Sequence, residues 1–173
     1  MKLFDAHTHI HFPLYEADRE AVLRRAKEAG VKMLCVGTQA ASSEAAVELA
    51  RKNPGEVYAS AGFHPNHFAS AWYHDKKEQQ ESERETFDAR RLRKIAENPE
   101  VVAIGEFGLD YYRLTDEKKE KENQQEALQI QIQIAKELIL PIIVHNREAS
   151  DAILEILGRE NAWEVGGVMH CFA

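Results

Sequence analysis

Short apolar segments alternate along the chain with longer segments in which apolar residues recur at helical spacing. The short segments predict strands, and the longer ones predict helices between them. The strand segments are apolar at consecutive positions, which is typical of a parallel sheet covered by helices. We therefore predict an α/β fold with about six parallel strands, at residues 3–9, 31–37, 57–62, 101–106, 141–145 and 165–170.

Four of the intervening segments predict helices with recognisable ends. A fifth, 117–140, is ambiguous, because alternating isoleucines fit a strand while other apolar positions fit a helix. Its length, its lack of turn residues and its Glu, Gln, Lys and Ala content favour a helix. Segment 69–85 is polar and predicts a solvated loop or an exposed helix. The four clear helices are 17–29 before Gly30, one that Ser42 or Ser43 caps before Pro54, 87–96 before Asn98, and 150–157 before Gly158.

Composition narrows the class of protein. The 173 residues, 44% hydrophobic and 29% charged, suffice for one globular domain over 1–173. A formal charge of −7 argues against a general polyanion-binding surface, so any nucleic acid would be attracted locally. No apolar run is long enough to cross a membrane and no signal peptide opens the chain, so we expect a cytoplasmic protein. For Cys35 and Cys171, buried free thiols are favoured over a disulfide or a metal role.

Potential metal ligands sit where predicted strands end. Alternate residues of a strand point to the same face, so His7 and His9 leave the first strand side by side. A (β/α) barrel gathers its strand ends at one mouth, where ligands distant in sequence converge. The repetition favours a metal site over isolated loop residues. The ligands are His7, His9, Glu106, His145 and His170, and His64 follows the third strand in the same manner.

Imidazoles together with one carboxylate suit zinc, iron, manganese or cobalt. Glu106 is the natural bridge between two ions, which would lie roughly 3.5–4 Å apart. The alternative for Glu106 is a salt bridge with Arg147. His11 has the parity of a substitute ligand, although Pro13 suggests that the chain has already left the strand there.

Several other polar residues have two interpretations each. Asp110 shares the parity of Glu106 if the strand stays extended through Gly108. Arg147 is either a phosphate-binding guanidinium or a surface residue at a helix start. For Tyr111 and Tyr112, packing is favoured over stacking on a base. For His67 and His74, which lie in polar segments, a solvated side chain is favoured.

Five motifs, in this order, closely resemble the TatD family of metal-dependent hydrolases. They are DAHTH at 5–9, GFHP at 62–65, IGEFGLDYY at 104–112, LPIIVHNREA at 140–149 and MHCF at 169–172. The matches span nearly the whole chain, and their combination is far more specific than the paired histidines alone.

The resemblance implies a TIM-type (β/α) barrel and a metal-dependent deoxyribonuclease that removes nucleotides from the 3′ end of DNA, with single-stranded ends as substrate. It implies divalent ions, most simply two, of Zn, Mg or Mn. By motif, the ligands would be His7, His9, Glu106, His145 and His170, with Glu106 also catalytic. His64 and Arg147 would lie near the substrate phosphate, and Asp110 and Tyr112 would line the mouth.

The chain departs from the family in its length. Family members continue through two more strands, the last ending in an aspartate that completes the metal site, and a TIM barrel needs about 250 residues. We therefore expect an incomplete barrel that lacks the C-terminal third, with exposed apolar edges on its first and last strands through which copies could associate. A fragment is favoured over completion by another chain or a poorly stable open sheet, and severely reduced activity is expected.

Two other functions stay open at this stage. One is a metal-dependent hydrolase of a lactone, amide or ester, such as an aminoacyl-tRNA bond. The other is a metal-binding remnant without catalytic activity.

Overall fold

The computed structural model describes residues 3–69, 76, 84–112 and 114–171. Its six strands form one parallel sheet in sequential order, β1 to β6, with helices in the connections. This sheet is the incomplete (β/α) barrel that the sequence predicts. The elements are β1 Leu3–Thr8, α1 Arg19–Glu28, β2 Val31–Cys35, α2 Ala40–Lys52, β3 Val57–Ala61, α3 Ala89–Ala96, β4 Val101–Asp110, α4 Glu117–Leu138, β5 Ile142–Arg147, α5 Ser150–Arg159 and β6 Gly167–His170.

Apolar side chains cover both faces of the sheet, which explains the continuous apolar runs. The larger core cluster joins one strand face to the helices, for example Ile104 and Val144 with Leu128 and Ile153. A smaller cluster on the opposite face contains Leu34, Val36, Ala103 and Ile143. Helices on one side and packed strand residues on the other leave the carboxyl ends of the strands as the place for polar side chains.

The ambiguous segment is helical, as predicted. In α4 the buried positions recur at helical spacing, and Asp116 caps its start by accepting the Lys119 N–H at 3.3 Å. Residues of both parities are buried, Ala127, Gln131 and Ala135 as well as Leu128 and Ile132, whereas a strand with one covered face would bury a single alternating set.

Several predicted boundaries are wrong by two or more residues, and three of them are instructive. Helix α2 begins at Ala40 rather than after Ser42 or Ser43, because the Ser42 hydroxyl accepts the N–H groups of Thr38 and Gln39 from within the first turn. Strand β4 continues past Glu106 to Asp110, because β5 pairs with it as far as Arg147. Helix α5 runs through Gly158 to Arg159.

Burial corrects two further predictions. Cys35 is buried and free, but Cys171 is free and exposed. His67 is buried rather than solvated, because the short 3-10 helix Pro65–Phe68 places its ring against Phe63. His74, and most of segment 69–85, lie outside the described residues. No helix in the described part of the chain combines the length and hydrophobicity of a membrane crossing.

The outermost strands are β1 and β6, as expected for an open sheet. Leu3 and Phe4 on β1 and Val168 on β6 are each about half exposed, so both edges carry accessible apolar surface. At the carboxyl end, however, the two strands approach, and the rings of His7 and His170 stack with centroids 3.7 Å apart.

Candidate metal centre

The carboxyl ends of the strands bring the predicted ligands together around Glu106. His7 comes from β1, His145 from β5 and His170 from β6, while His64 follows β3. Glu106 lies on β4 between them, buried with 3% of its surface exposed. A carboxylate this deep needs compensating partners, and in the described residues these partners are histidines.

The two carboxylate oxygens of Glu106 face opposite sides of the site. Oε2 lies 3.3 Å from His7 Nε2, and Oε1 lies 2.8 Å from His145 Nδ1. Burial by itself would raise the pKa of Glu106, but the hydrogen bond from His145 and the contact with His7 outweigh burial and hold that pKa well below its usual range. Glu106 is therefore ionised and presents one oxygen to each side.

On one side, His9 is oriented by backbone. Its Nδ1 donates to the Val36 carbonyl at 3.1 Å, so in the neutral ring Nε2 keeps its lone pair. Burial and the neighbouring His7 lower the pKa of His9 to about 4, although Glu106 opposes them. The rings of His7 and His9 stand edge to face with centroids 5.1 Å apart.

On the other side, His64 is fixed as a hydrogen-bond donor. Its Nδ1 accepts the Asn66 N–H at 3.0 Å, so in the neutral ring the hydrogen sits on Nε2. Nε2 lies 3.2 Å from His145 Nδ1 and 3.8 Å from Glu106 Oε1. Burial lowers the pKa of His64 to about 3, against the opposing effect of Glu106, so the ring is neutral near pH 7.

His145 lies between two carboxylates. Besides Glu106, Asp110 Oδ2 lies 3.5 Å from its Nε2. Burial would lower the pKa of His145, but Asp110 and Glu106 outweigh burial and raise it to about 9. Asp110 is itself held ionised against the effect of burial, chiefly by His145, and its pKa is lowered. Strand β4 stays paired through Asp110, and its predicted place in the mouth follows from that pairing.

His170 is the most exposed of the predicted ligands. Its Nε2 lies 3.7 Å from Glu106 Oε1, and 40% of its side-chain surface is accessible. Burial lowers the pKa of His170 despite the opposing effect of Glu106. Its ring stacks on His7, so it closes the site from the β6 edge.

The donor atoms of the described residues lie close enough together to hold metal ions. They form two groups in which all donor atoms lie within 4.8 Å of one another, and Glu106 belongs to both. The first group fits well, because within the described residues neither buried ring nitrogen of His7 forms a hydrogen bond, and Nε2 meets Glu106 Oε2 only in a 3.3 Å contact. The second fits only in part, because His64 uses Nδ1 for Asn66 and keeps its hydrogen on Nε2. The groups are His7, His9 and Glu106, and His64, Glu106 and His145.

The remaining predicted residues take different places. His11 is buried in the turn after β1, against Phe12, and belongs to neither group. Arg147 forms no ion pair with Glu106 within the described residues; its guanidinium lies over the Tyr112 ring, 3.7 Å from the centroid. Tyr112 is 55% exposed beside the site, and its N–H donates to Asp110 Oδ1 at 3.1 Å. The Tyr111 hydroxyl accepts from Gln125 at 2.8 Å.

Three residues that shape the site were not predicted for it. Gln124 and Gln131 of α4, each 1% exposed, bond to the backbones of Asp110 and Phe63. Buried glutamines on the apolar face of a helix were the available signal. Gly62 lies against the backbone of Gly105, and a Cβ at Gly62 would collide with it. That contact depends on the fold and has no signature in the sequence beyond the glycine.

Comparison with known proteins places this arrangement in a family. The profile of the family described as "TatD related DNase" matches residues 4–173. A protein of Erwinia billingiae named "3'-5' ssDNA/RNA exonuclease TatD" is 39% identical over 171 residues, which cover 98% of this chain and 59% of that protein. The Bacillus subtilis "Uncharacterized metal-dependent hydrolase YabD" is 37% identical over 98% of this chain and 60% of its own length.

A solved structure supports the same assignment. The crystal structure of the TatD homologue YJJV from Escherichia coli k12 superposes with a TM-score of 0.77 at 32% identity, covering 99% of this chain and 60% of that one. The chain thus spans about 60% of the length of the relatives that it matches. Because the family profile extends over nearly every residue, the chain belongs to the TatD related DNase family.

Proposed function

We propose that the Glu106 site belongs to a metal-dependent nuclease that hydrolyses phosphodiester bonds of single-stranded DNA, releasing nucleotides from the 3′ end. The observation that carries the proposal is the placement of Glu106, whose two oxygens face two separate sets of histidines. A carboxylate with nitrogen donors on both sides is suited to bridge two divalent ions of a hydrolytic site. Family membership and the names of the relatives support hydrolysis of nucleic acid.

In this proposal His7, His9 and Glu106 hold one divalent ion, and Glu106, His145 and His170 hold the second. Zn, Mg or Mn are the candidate metals, with nitrogen donors favouring zinc and manganese over magnesium. Such ions, when bound, stabilise negative charge on phosphate oxygens and make water acidic enough to lose a proton near neutral pH.

The protein's own donors orient the substrate phosphate. The Nε2–H of His64 lies 3.8 Å from Glu106 Oε1 and 3.2 Å from His145 Nδ1. Because His145 Nδ1 donates to Glu106, it cannot accept this N–H, which stays available to a phosphate oxygen. Arg147 presents a guanidinium at the same mouth, fixed over Tyr112. Asp110 keeps His145 turned towards the site and orients the Tyr112 backbone. The proposed substrate-binding residues are His64, Arg147, Asp110 and Tyr112. Glu106 is the proposed catalytic carboxylate.

The proposed substrate class follows from the relatives. The Erwinia relative is named for both single-stranded DNA and RNA. With a net charge of −7, attraction to DNA has to come from the centre and Arg147 rather than from the surface as a whole. A cytoplasmic location and self-association through the edges of β1 and β6 stay predictions of the sequence.

Release of nucleotides from an oligonucleotide tests the proposal. We expect a 5′-labelled single strand to shorten slowly from its 3′ end in the presence of Mn²⁺ or Zn²⁺, in line with the severely reduced activity expected from the sequence, and the reaction to stop with a chelator. Glu106→Ala should lower the rate by at least about 100-fold, because it removes the shared ligand. Glu97→Ala is the matched control, since Glu97 is an exposed carboxylate paired with Arg93 at 3.3 Å.

The alternatives give different results in the same assay. Hydrolysis of esters or aminoacyl-tRNA with no action on DNA or RNA would show that the protein is an ester or amide hydrolase and not a nuclease. A chain that binds metal but hydrolyses neither class of substrate would favour a non-catalytic metal-binding protein. Full activity of Glu106→Ala would refute the bridging role.

A further inference from the structure

Two buried glutamines of α4 pair with backbone in the way a neighbouring strand would. Gln131 Oε1 accepts the Phe63 N–H at 2.8 Å, and its Nε2 donates to the Phe63 carbonyl at 3.2 Å. Gln124 Oε1 accepts the Asp110 N–H at 2.9 Å, and its Nε2 donates to the Asp110 carbonyl at 3.1 Å. Each side-chain amide thus satisfies both polar groups of one residue.

The two residues so held lie next to the site. Phe63 immediately precedes His64, and Asp110 contacts His145 Nε2 at 3.5 Å. Gln124 and Gln131 are seven positions apart in a helix, so they share the face of α4 that meets the sheet. One helix therefore holds both the segment that follows β3 and the end of β4, on the same side of Glu106.

Burial protects these hydrogen bonds from competition with water. Both glutamines are 1% exposed, so water cannot replace their hydrogen bonds, and Gln131 is held further by donating to the Ala127 carbonyl at 3.3 Å. By contrast, His9 on the other side of Glu106 is oriented by the Val36 carbonyl of β2. The helix thus acts on His64 and His145 and not on His7 and His9.

We infer that Gln124 and Gln131 are positioning residues that set the placement of the His145 and His64 imidazoles relative to Glu106. What those imidazoles do rests on the proposed function, but their placement by α4 does not. Residues that hold metal-ligating side chains in place commonly change metal affinity by about 10- to 100-fold when they are removed.

The test uses Gln124→Met and Gln131→Met, which keep the side-chain volume and lose the amide. In the ion-free chain, we expect the imidazole ¹⁵N resonances of His64 to move in Gln131→Met and those of His145 to move in Gln124→Met. The resonances of His7 and His9 should keep their wild-type positions in both. The Phe63 or Asp110 amide should exchange with solvent about tenfold faster in the respective variant.

Gln133→Met is the matched control, because Gln133 is an exposed residue of the same helix that donates to Glu160 at 2.9 Å. It should move none of these resonances. If a methionine variant does not fold, Gln124→Asn and Gln131→Asn keep the amide but cannot reach both backbone groups, and the same shifts are expected.

Co²⁺ titration supplies a second readout. Gln124→Met should weaken the binding of one Co²⁺ about tenfold while Gln133→Met leaves it unchanged. Wild-type chain that binds no Co²⁺ would defeat the proposed function, yet the resonance shifts would still decide the positioning role. Unmoved His64 and His145 resonances in folded variants would overturn the inference, as would equal movement of all four histidines.

Discussion

The imidazoles on the two sides of Glu106 are held in place by different parts of the fold. His7 and His9 leave β1, an outermost strand whose Leu3 and Phe4 are about half exposed. His145 leaves β5, which is paired on both sides. The β1 side is supported by one neighbouring strand, and among the residues that the structure describes both ring nitrogens of His7 lack a hydrogen bond. The inner side is supported by strands, by Asp110 and by α4, and its rings are already engaged with one another.

This difference separates two properties of a metal ligand: a nitrogen lone pair that is free to bind an ion, and a side chain that the fold holds in position. The β1 side has the right lone pairs for an ion but modest support from the fold. The inner side has strong support, yet in the ion-free arrangement His145 acts as the cation that offsets Glu106 and Asp110. His145 is therefore held firmly but is engaged by carboxylates, whereas His7, within the described part of the chain, has free nitrogen atoms but less support from neighbouring strands.

The largest effect expected from this contrast is on stability. In the ion-free chain, His145→Ala leaves two carboxylates without their shared partner, and we expect a loss of about 4 kcal/mol of unfolding free energy. His7→Ala removes a partly exposed contact and should cost less than about 1 kcal/mol. Urea unfolding in the presence of a chelator measures both. Equal losses would contradict the contrast.

A smaller effect is expected on the unfolding free energy in acid, through His67 in the segment that follows His64. Burial, with Arg84 nearby, lowers the pKa of His67 to about 4. The unfolded chain then binds more protons than the folded one between pH 6.5 and 4, so stability present above pH 6.5 is lost as pH falls. We expect His67→Gln to remove about 2 kcal/mol of this loss. A wild-type minus variant difference that is constant from pH 7 to 4 would exclude the role of His67.

The smallest effect concerns the mouth of the inner side. Replacing Tyr112 by Leu removes the ring beneath Arg147, and an exposed cation–π contact is worth about 0.5–1 kcal/mol. We expect Tyr112→Leu to weaken binding of a non-hydrolysable single-stranded oligonucleotide by about threefold, measured by fluorescence anisotropy. Tyr111→Phe, which loses only the hydroxyl contact with Gln125, serves as the control and should bind normally. Tighter binding by Tyr112→Leu would show that the ring obstructs the strand.

Much of the fold was predictable because apolar periodicity and strand-end histidines are local signals. Strand order and the convergence on Glu106 followed from the (β/α) barrel, since a parallel sheet by itself allows other strand orders. The donor state of His64 was not predictable, because it depends on the Asn66 N–H in the next turn. Nor was the burial of His67, since a polar segment gives no sign that a 3-10 helix will turn one ring inward.

Gly62 shows what the site requires in addition to its ligands. Its α-carbon lies against the Gly105 backbone, immediately before Glu106, and even a methyl group there would force β3 and β4 apart. Among random substitutions, therefore, changes at this chemically silent position should be tolerated as poorly as changes at Glu106 itself. A survey of mutational tolerance would then mark Gly62 as essential for the space that it leaves empty.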